Sequence, residues 1–200
     1  MRSFLRIGPW VPWRAAFLVA FFSCLTSLAQ AQDISAKLMR CAACHGSDGN
    51  AQMEGVPSLA SQPKTFIENQ LVMIREGMRN IPIMEGLLDG VTDDEIMAMA
   101  AHYAALPLKK PAVDRQETLY VLGERLAQEM RCGTCHLPNY VGRDQMPRLA
   151  GQREDYLLHS MRQFASNQAV GRDTIMAAAL YGVSDNDLKA LAHFLSRNSP

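Results

Sequence analysis

Two pentapeptides constrain this chain more than any other feature: Cys41-Ala42-Ala43-Cys44-His45 and Cys132-Gly133-Thr134-Cys135-His136, 91 residues apart. Cys-x-x-Cys-His is the attachment signature of a c-type haem. The two thiols become thioethers on the haem vinyls, and the adjacent histidine becomes the proximal iron ligand. One copy alone also fits chance, a zinc half-site or a redox dithiol. Two copies, each opening a similar block of sequence, favour two haems and therefore an electron carrier. On this reading Cys41, Cys44, Cys132 and Cys135 hold the cofactors, while His45 and His136 bind the irons.

The N-terminus is read separately. Arg2, Arg6 and Arg14 precede a largely apolar run, Ala15 to Leu28, that ends at Ala29-Gln30-Ala31. This is the pattern of an export leader, residues 1–31, with cleavage expected after Ala31. The stretch from Trp10 to Leu28 is nearly long enough to be an uncleaved membrane anchor, but the small-residue site at its end favours cleavage. Cys24 raises a lipoprotein reading, which Phe21-Phe22-Ser23 serves poorly. Without the leader, four of the five cysteines remain, and the two motifs consume all four. Neither a disulfide framework nor a nucleophilic thiol is left over. The leader takes three of the 20 basic residues and none of the 20 acids, leaving 17 against 20. Nothing in that balance suggests nucleic acid; a mildly acidic carrier would dock on a basic patch of its partners.

Beyond the motifs the sequence repeats. Pro57-Ser58-Leu59-Ala60-Ser61-Gln62 follows the first motif, and Pro147-Arg148-Leu149-Ala150-Gly151-Gln152 follows the second. Each runs into helical periodicity: Phe66, Ile67, Gln70, Leu71 and Ile74, then Tyr156, Leu157, Met161 and Phe164. Each half closes on a capped helix, with Thr92-Asp93-Asp94-Glu95 and Ser184-Asp185-Asn186-Asp187 matching or approaching a capping box. Behind the caps, Ile96, Met99, Ala100 and Tyr103 mark one face, as do Leu188, Leu191, Ala192 and Leu195. A short helix from Asp33 to Arg40 is expected to deliver Cys41. Another, from about Gln116 to Met130, should bury Leu119, Leu122, Leu126 and Met130 before the second motif. No strand pattern appears. The expected organisation is all-α: a first domain over residues 32–106, a linker over 107–115 and a second domain over 116–200. Domains this small bury little core by themselves, and a covalently held haem supplies the apolar centre.

Electron transfer favours a sixth ligand that stays bound in both oxidation states, and a thioether does so while raising the potential. The repeat nominates Met84 and Met176. They lie 39 and 40 residues after His45 and His136, and each sits eight residues before its helix cap. Of the 12 methionines, Met73, Met78, Met97 and Met99 read as helix packing. Met78 competes loosely with Met84 but has no counterpart in the second half. Met146 comes too soon after His136, and Met161 lies in a helical stripe. Among the other histidines, His102 and His193 read as packing or rim residues, with His159 a distant candidate ligand. Pro57 and Pro147 are placed to offer a carbonyl to each ligand histidine, or merely to set the chain direction before a helix. Asn80 and Arg172, near the methionines, are candidates to touch haem propionates or the ligand sulfur.

These residues resemble the class I cytochromes c, and most closely the periplasmic diheme cytochromes of the c-four type, over residues 33–198. The resemblance implies two tandem class I domains, each wrapped around one covalent haem c and related by a pseudo-twofold. It further implies axial pairs His45–Met84 and His136–Met176, and residence in the periplasm. Departures are Ser61 where glycine is usual, Val91-Thr92 at the first cap, and Leu137-Pro138-Asn139-Tyr140 where a glycine-rich turn is usual. The implied role is to take single electrons from a membrane quinol-oxidising complex or a dehydrogenase and pass them to a terminal oxidase, another cytochrome or another acceptor. Docking at membrane-bound complexes would be transient. The alternative is a dedicated diheme subunit of a larger dehydrogenase, such as a flavoprotein sulfide dehydrogenase. A haem enzyme would need an open iron position, against which the two methionines argue.

Overall fold

The computed structural model describes residues 34–109 and 114–198. The expected leader, its cut after Ala31 and the middle of the expected linker lie outside the described residues. Residues 38–45 are helical (α1). The first half continues with α2 (Lys64–Arg75), a single 3-10 turn (Pro82–Met84) and α3 (Asp93–Ala105). The second half holds α4 (Glu117–Glu129), α5 (Gly133–His136), α6 (Glu154–Ala165), α7 (Thr174–Ala179) and α8 (Asp185–Arg197). Among the described residues there is no strand, only an isolated bridge between Arg143 and Met146. The helix expected to stop at Arg40 runs on through His45 instead. Nothing in Cys-Ala-Ala-Cys-His breaks a helix, and alanine is the strongest helix former.

Both caps form. Thr92 makes a full capping box: its side chain accepts from the Glu95 amide, and the Glu95 carboxylate accepts from the Thr92 amide at 2.8 Å. Ser184 accepts from the Asp187 amide at 3.2 Å, but the Asp187 carboxylate takes the Ser184 hydroxyl at 2.7 Å. Aspartate is one methylene shorter than glutamate and bonds the hydroxyl rather than the backbone amide. The α3 face buries Ile96, Met99, Ala100 and Tyr103 as expected. In α8 burial is nearly continuous from Leu188 through Ser196, because α4 and α6 both pack against it.

The α4–α8 contact differs from the expected face of large residues. The most buried positions of α4 are Gly123 and Ala127, one turn apart, while Leu119, Leu122, Leu126 and Met130 are only partly covered. A Cβ on Gly123 would lie 2.1 Å from the Ala190 carbonyl oxygen and 2.7 Å from the Phe194 Cβ. The two helix backbones touch here, so small residues occupy the centre of the seam. Tyr120 and Tyr140 close its ends, edge to face on Phe194 at 5.1 and 5.5 Å.

The halves are built alike around one aromatic that changes place. The Gly49 carbonyl accepts from the amides of Leu59 and Ala60, and the Tyr140 carbonyl accepts from those of Leu149 and Ala150, at the same 2.8 and 3.0 Å. Both residues are left-handed, φ 72° at Gly49 and 59° at Tyr140. At Gly49 a side chain would press on Tyr103, 3.1 Å away. The second half has Leu195 where Tyr103 stands, and Tyr140 is buried there. One ring per half fills the same space, and the half that carries it on the turn accepts the cost of a left-handed tyrosine, about 1–2 kcal/mol.

A reciprocal contact joins the halves. The Gln62 side chain donates to the Arg148 carbonyl (3.0 Å) and accepts from the Arg148 amide (2.9 Å). The Gln152 side chain donates to the Ser58 carbonyl (2.9 Å) and accepts from the Ser58 amide (2.8 Å). Since Gln62 and Gln152 are repeat equivalents, as are Ser58 and Arg148, the contact obeys a twofold. All four residues are buried. Truncating either glutamine strands one buried backbone donor and one acceptor, each costing about 1–3 kcal/mol. Gln62→Ala and Gln152→Ala are therefore each expected to lower stability by about 2–6 kcal/mol in urea denaturation of the holoprotein. An unchanged midpoint in either would mean that the contact does not bear load.

Both described ends of the expected linker are tied down. The Asn50 side chain donates to the Pro107 carbonyl at 3.1 Å and accepts from the Lys109 amide at 2.9 Å. At the far end the Asp114 carbonyl accepts from Arg197 at 3.0 Å.

Candidate metal centres

Helical spacing explains the motif. In α1, and from the N-cap Cys132 through α5, the first cysteine, the second three residues on and the histidine four residues on share one helix face. Cys41, Cys44, Cys132 and Cys135 form no disulfide. Burial pushes the Cys41 and Cys132 thiols up, with the Tyr103 hydroxyl beside Cys41 acting in the opposite direction. Cys41 lies against the buried Ile67, Ala100 and Tyr103.

His45 and His136 are buried at the ends of their helices, 9% and 5% exposed. Each Nδ1 lies 2.9 Å from a proline carbonyl, Pro57 for His45 and Pro147 for His136. A carbonyl only accepts, so Nδ1 carries the hydrogen and Nε2 keeps its lone pair. Burial lowers the pKa of both rings, outweighing the opposing effect of those hydrogen bonds. At pH 7 both imidazoles are neutral, which is the metal-binding form. The proline segments thus do more than steer the chain.

Met84 lies on the 3-10 turn and Met176 on α7, both half-buried. Met176 and Cys132 pack against the same buried cluster of the second half. In the first half Met84 lies outside the cluster that Cys41 lines. The other methionines divide differently from the sequence reading. Met78 is not helical: it sits in the turn after α2, 51% exposed, and Met97 faces outward at 45%, whereas Met99 is core. His159 is exposed on α6. His193 is fully committed, its Nε2 accepting from the Gln116 amide at 3.0 Å and its Nδ1 donating to Glu154 at 3.2 Å. His102 meets the Tyr103 ring edge-on at 5.1 Å.

Three arginines stand out by their partners. Arg172 donates to Ser160 (2.6 Å) and Gln163, and its guanidinium lies 4.3 Å over the Phe164 ring. Burial and the nearby Arg79 charge lower its pKa. Arg79 bonds Gln70 and reaches across to the Tyr156 hydroxyl at 3.4 Å. Arg148 is 1% exposed, and burial lowers its pKa to about 10, so it remains charged at pH 7. Its guanidinium donates to the carbonyls of Ala150 and Ala60, the latter at 3.0 Å across the joint. Its Nε is a buried donor with no partner. None of the three has a carboxylate in ion-pair range among the described residues. Asn80, the other candidate near a methionine, is exposed. Sequence reasoning passed over Arg148, although an arginine opposite Ser58 in otherwise matching segments was a visible asymmetry.

These residues fit haem. Among the described residues no three His, Cys, Asp or Glu side chains converge on a point that would hold a bare metal ion. The motif groups are spread along a helix, which suits a broad planar group bonded at separated points. Nε2 of each histidine is free to bind iron, and a buried cation without an acid suits a cofactor that brings its own carboxylates.

A family model described as "Cytochrome C oxidase, cbb3-type, subunit III" matches residues 27–102, and one described as "Cytochrome c" matches residues 120–199. Cytochrome c4 of Azotobacter vinelandii is 30% identical over 194 residues, covering 86% of this chain and 92% of that protein. The crystal structure of reduced recombinant cytochrome c4 from Pseudomonas stutzeri superposes with a TM-score of 0.76 at 28% identity, over 84% of this chain and 98% of that one. A thiosulfate dehydrogenase electron acceptor of Stutzerimonas stutzeri (strain A1501) is 31% identical over 171 residues, 79% of this chain and 78% of that protein. The likeness runs through both halves and the segment between them, so this chain belongs to the family of c4-type diheme cytochromes c, electron-transfer proteins with two covalent haem c groups.

Proposed function

We propose that the protein is an exported periplasmic carrier whose haems are held by Cys41 and Cys44 and by Cys132 and Cys135. Its irons are ligated by His45 with Met84 and by His136 with Met176. When bound, each haem supplies an iron that cycles between ferrous and ferric, one electron at a time. The chain's own contribution is to keep that cycle low in reorganisation. Pro57 and Pro147 fix each imidazole in orientation and tautomer through Nδ1, and burial keeps the ring neutral. The observation that carries this reading is that repeat-equivalent geometry, present in both halves. The halves meet at about residues 107–115, and residues 1–31 are the leader removed on export.

Exposed apolar side chains stand beside each candidate methionine: Ile83 at 67% in the first half, and Ile175 at 68% with Tyr181 at 85% in the second. Such residues suit brief contact with redox partners, a quinol-oxidising complex or dehydrogenase as donor and an oxidase or another cytochrome as acceptor. A second reading, service to one dedicated dehydrogenase, is favoured by the relative named as a thiosulfate dehydrogenase electron acceptor.

The test is a visible and near-infrared spectrum of the mature holoprotein, titrated by potential. Two haems per chain, each with a sulfur-to-iron charge-transfer band, are expected. A haem that lacks the band and binds carbon monoxide readily would end the carrier reading for that half. Rapid reduction by thiosulfate only in the presence of a thiosulfate dehydrogenase would select the dedicated role.

A further inference from the structure

The reciprocal glutamine contact between the halves follows a twofold, but the two residues it grips, Ser58 and Arg148, differ. Where the first half has Ser58, whose hydroxyl accepts from the Ala51 amide at 3.1 Å, the second has Arg148. The guanidinium crosses the joint, bonding one carbonyl on each side, and leaves Nε–H without an acceptor. A buried charge is tolerated when an opposite charge faces it, because carbonyl dipoles alone do not repay the loss of hydration. A water molecule would satisfy the N–H but not the charge. Among the described residues no acid pairs with it: Asp155 is taken by Arg153 and the Gly55 amide, and Glu154 by Arg197 and His193. The anions the holoprotein necessarily adds are the haem propionates.

We infer that Arg148 is the counter-charge of haem propionate at the joint between the halves, and that it thereby sets the reduction potential. This rests on the diheme reading above. A fixed cation in a water-poor joint stabilises the state with one more electron, and pairing with it screens the negative carboxylate from the iron. Both effects favour reduction. Ala60 and Ala150 lie three residues after Pro57 and Pro147, whose carbonyls hold the ligand histidines. The guanidinium is thus tied at once to both segments whose carbonyls orient the ligand histidines. It is a positioning and potential-setting residue, not a ligand.

The test is a potentiometric titration of the holoprotein as wild type, R148Q and R148K, with the exposed Arg125 changed to glutamine as a control for net charge. The glutamine keeps an amide donor for the carbonyls but removes the charge. At least one midpoint in R148Q is expected to fall by about 59 mV, a tenfold change in a one-electron equilibrium. R148K should fall by less, and R125Q should stay at the wild-type values. If both midpoints of R148Q match those of wild type, the inference is overturned. If R148Q fails to accumulate with haem, R148M decides, since methionine keeps a long side chain but removes the charge; unchanged midpoints there overturn the inference equally. The sulfur-to-iron bands separate this from the ligand assignment. Bands present with unmoved midpoints sink only the role of Arg148, whereas wild type without bands sinks the methionine reading.

Discussion

Met84→His and Met176→His, made separately, are each expected to drag one of the two redox waves downward and leave the other near its original position. Histidine keeps the iron six-coordinate, so the change isolates the ligand atom. Thioether sulfur favours ferrous iron relative to imidazole nitrogen, and ligand exchange should lower the affected midpoint by on the order of 0.1–0.2 V, within the roughly 0.8 V over which axial ligands set haem potentials. Half of the sulfur-to-iron band should vanish in each single variant and all of it in the double. The pair also decides between competing assignments. If Met78, exposed in the turn after α2, were the first-half ligand, Met84→His would leave the band whole. If His159 ligated the second iron, Met176→His would change nothing. Assigning each wave to a half follows directly, because each variant marks one of them.

Gly123→Ala is expected to be strongly damaging even though the glycine has ordinary helical backbone. The added methyl would stand 2.1 Å from the Ala190 oxygen and 2.7 Å from the Ala190 carbonyl carbon. Those are backbone atoms of a helix, so no rotamer change relieves the overlap. α4 and α8 must separate, which opens the seam where Phe194 meets Tyr120 and Tyr140. Overpacking a well-filled core typically costs about 1–3 kcal/mol, and a clash with main chain belongs at or above the upper end. Guanidinium denaturation of the holoprotein reads the loss directly. A cost below about 1 kcal/mol would show that the helices slide apart freely and that their close approach is incidental.

Much of this was legible in the sequence because helical repeats write themselves twice. The caps Thr92 and Ser184 and the buried face Ile96–Met99–Ala100–Tyr103 followed from spacing, and of the two roles open to Pro57 and Pro147 the structure has the carbonyl that meets the histidine. What escaped did so for physical reasons. A search for large apolar residues finds Leu119, Leu122 and Leu126, yet the tightest part of a helix crossing is where backbones touch and the residues are small, hence Gly123 and Ala127. The Tyr103-for-Tyr140 exchange is a relation between distant positions, and neither half shows it alone. Left-handed backbone at Ser61, Leu137 and Tyr140 is hidden because propensity assigns such φ values to glycine. Arg148 stood in plain view as a mismatch with Ser58, but a single arginine reads as surface, and only its burial shows otherwise.

The reciprocal grip of Gln62 and Gln152 has a further consequence. A contact in which each side presents the same patch is one that two copies of a single-haem chain can form as a homodimer. Carrying both copies on one polypeptide makes the pairing unimolecular, so it no longer weakens on dilution. It also frees the two sides to diverge: one chain can place an arginine on one side and a serine on the other, which a true homodimer of identical copies cannot. Tethering thus converts a symmetric assembly into a vehicle for two unequal electron sites delivered in a fixed one-to-one ratio.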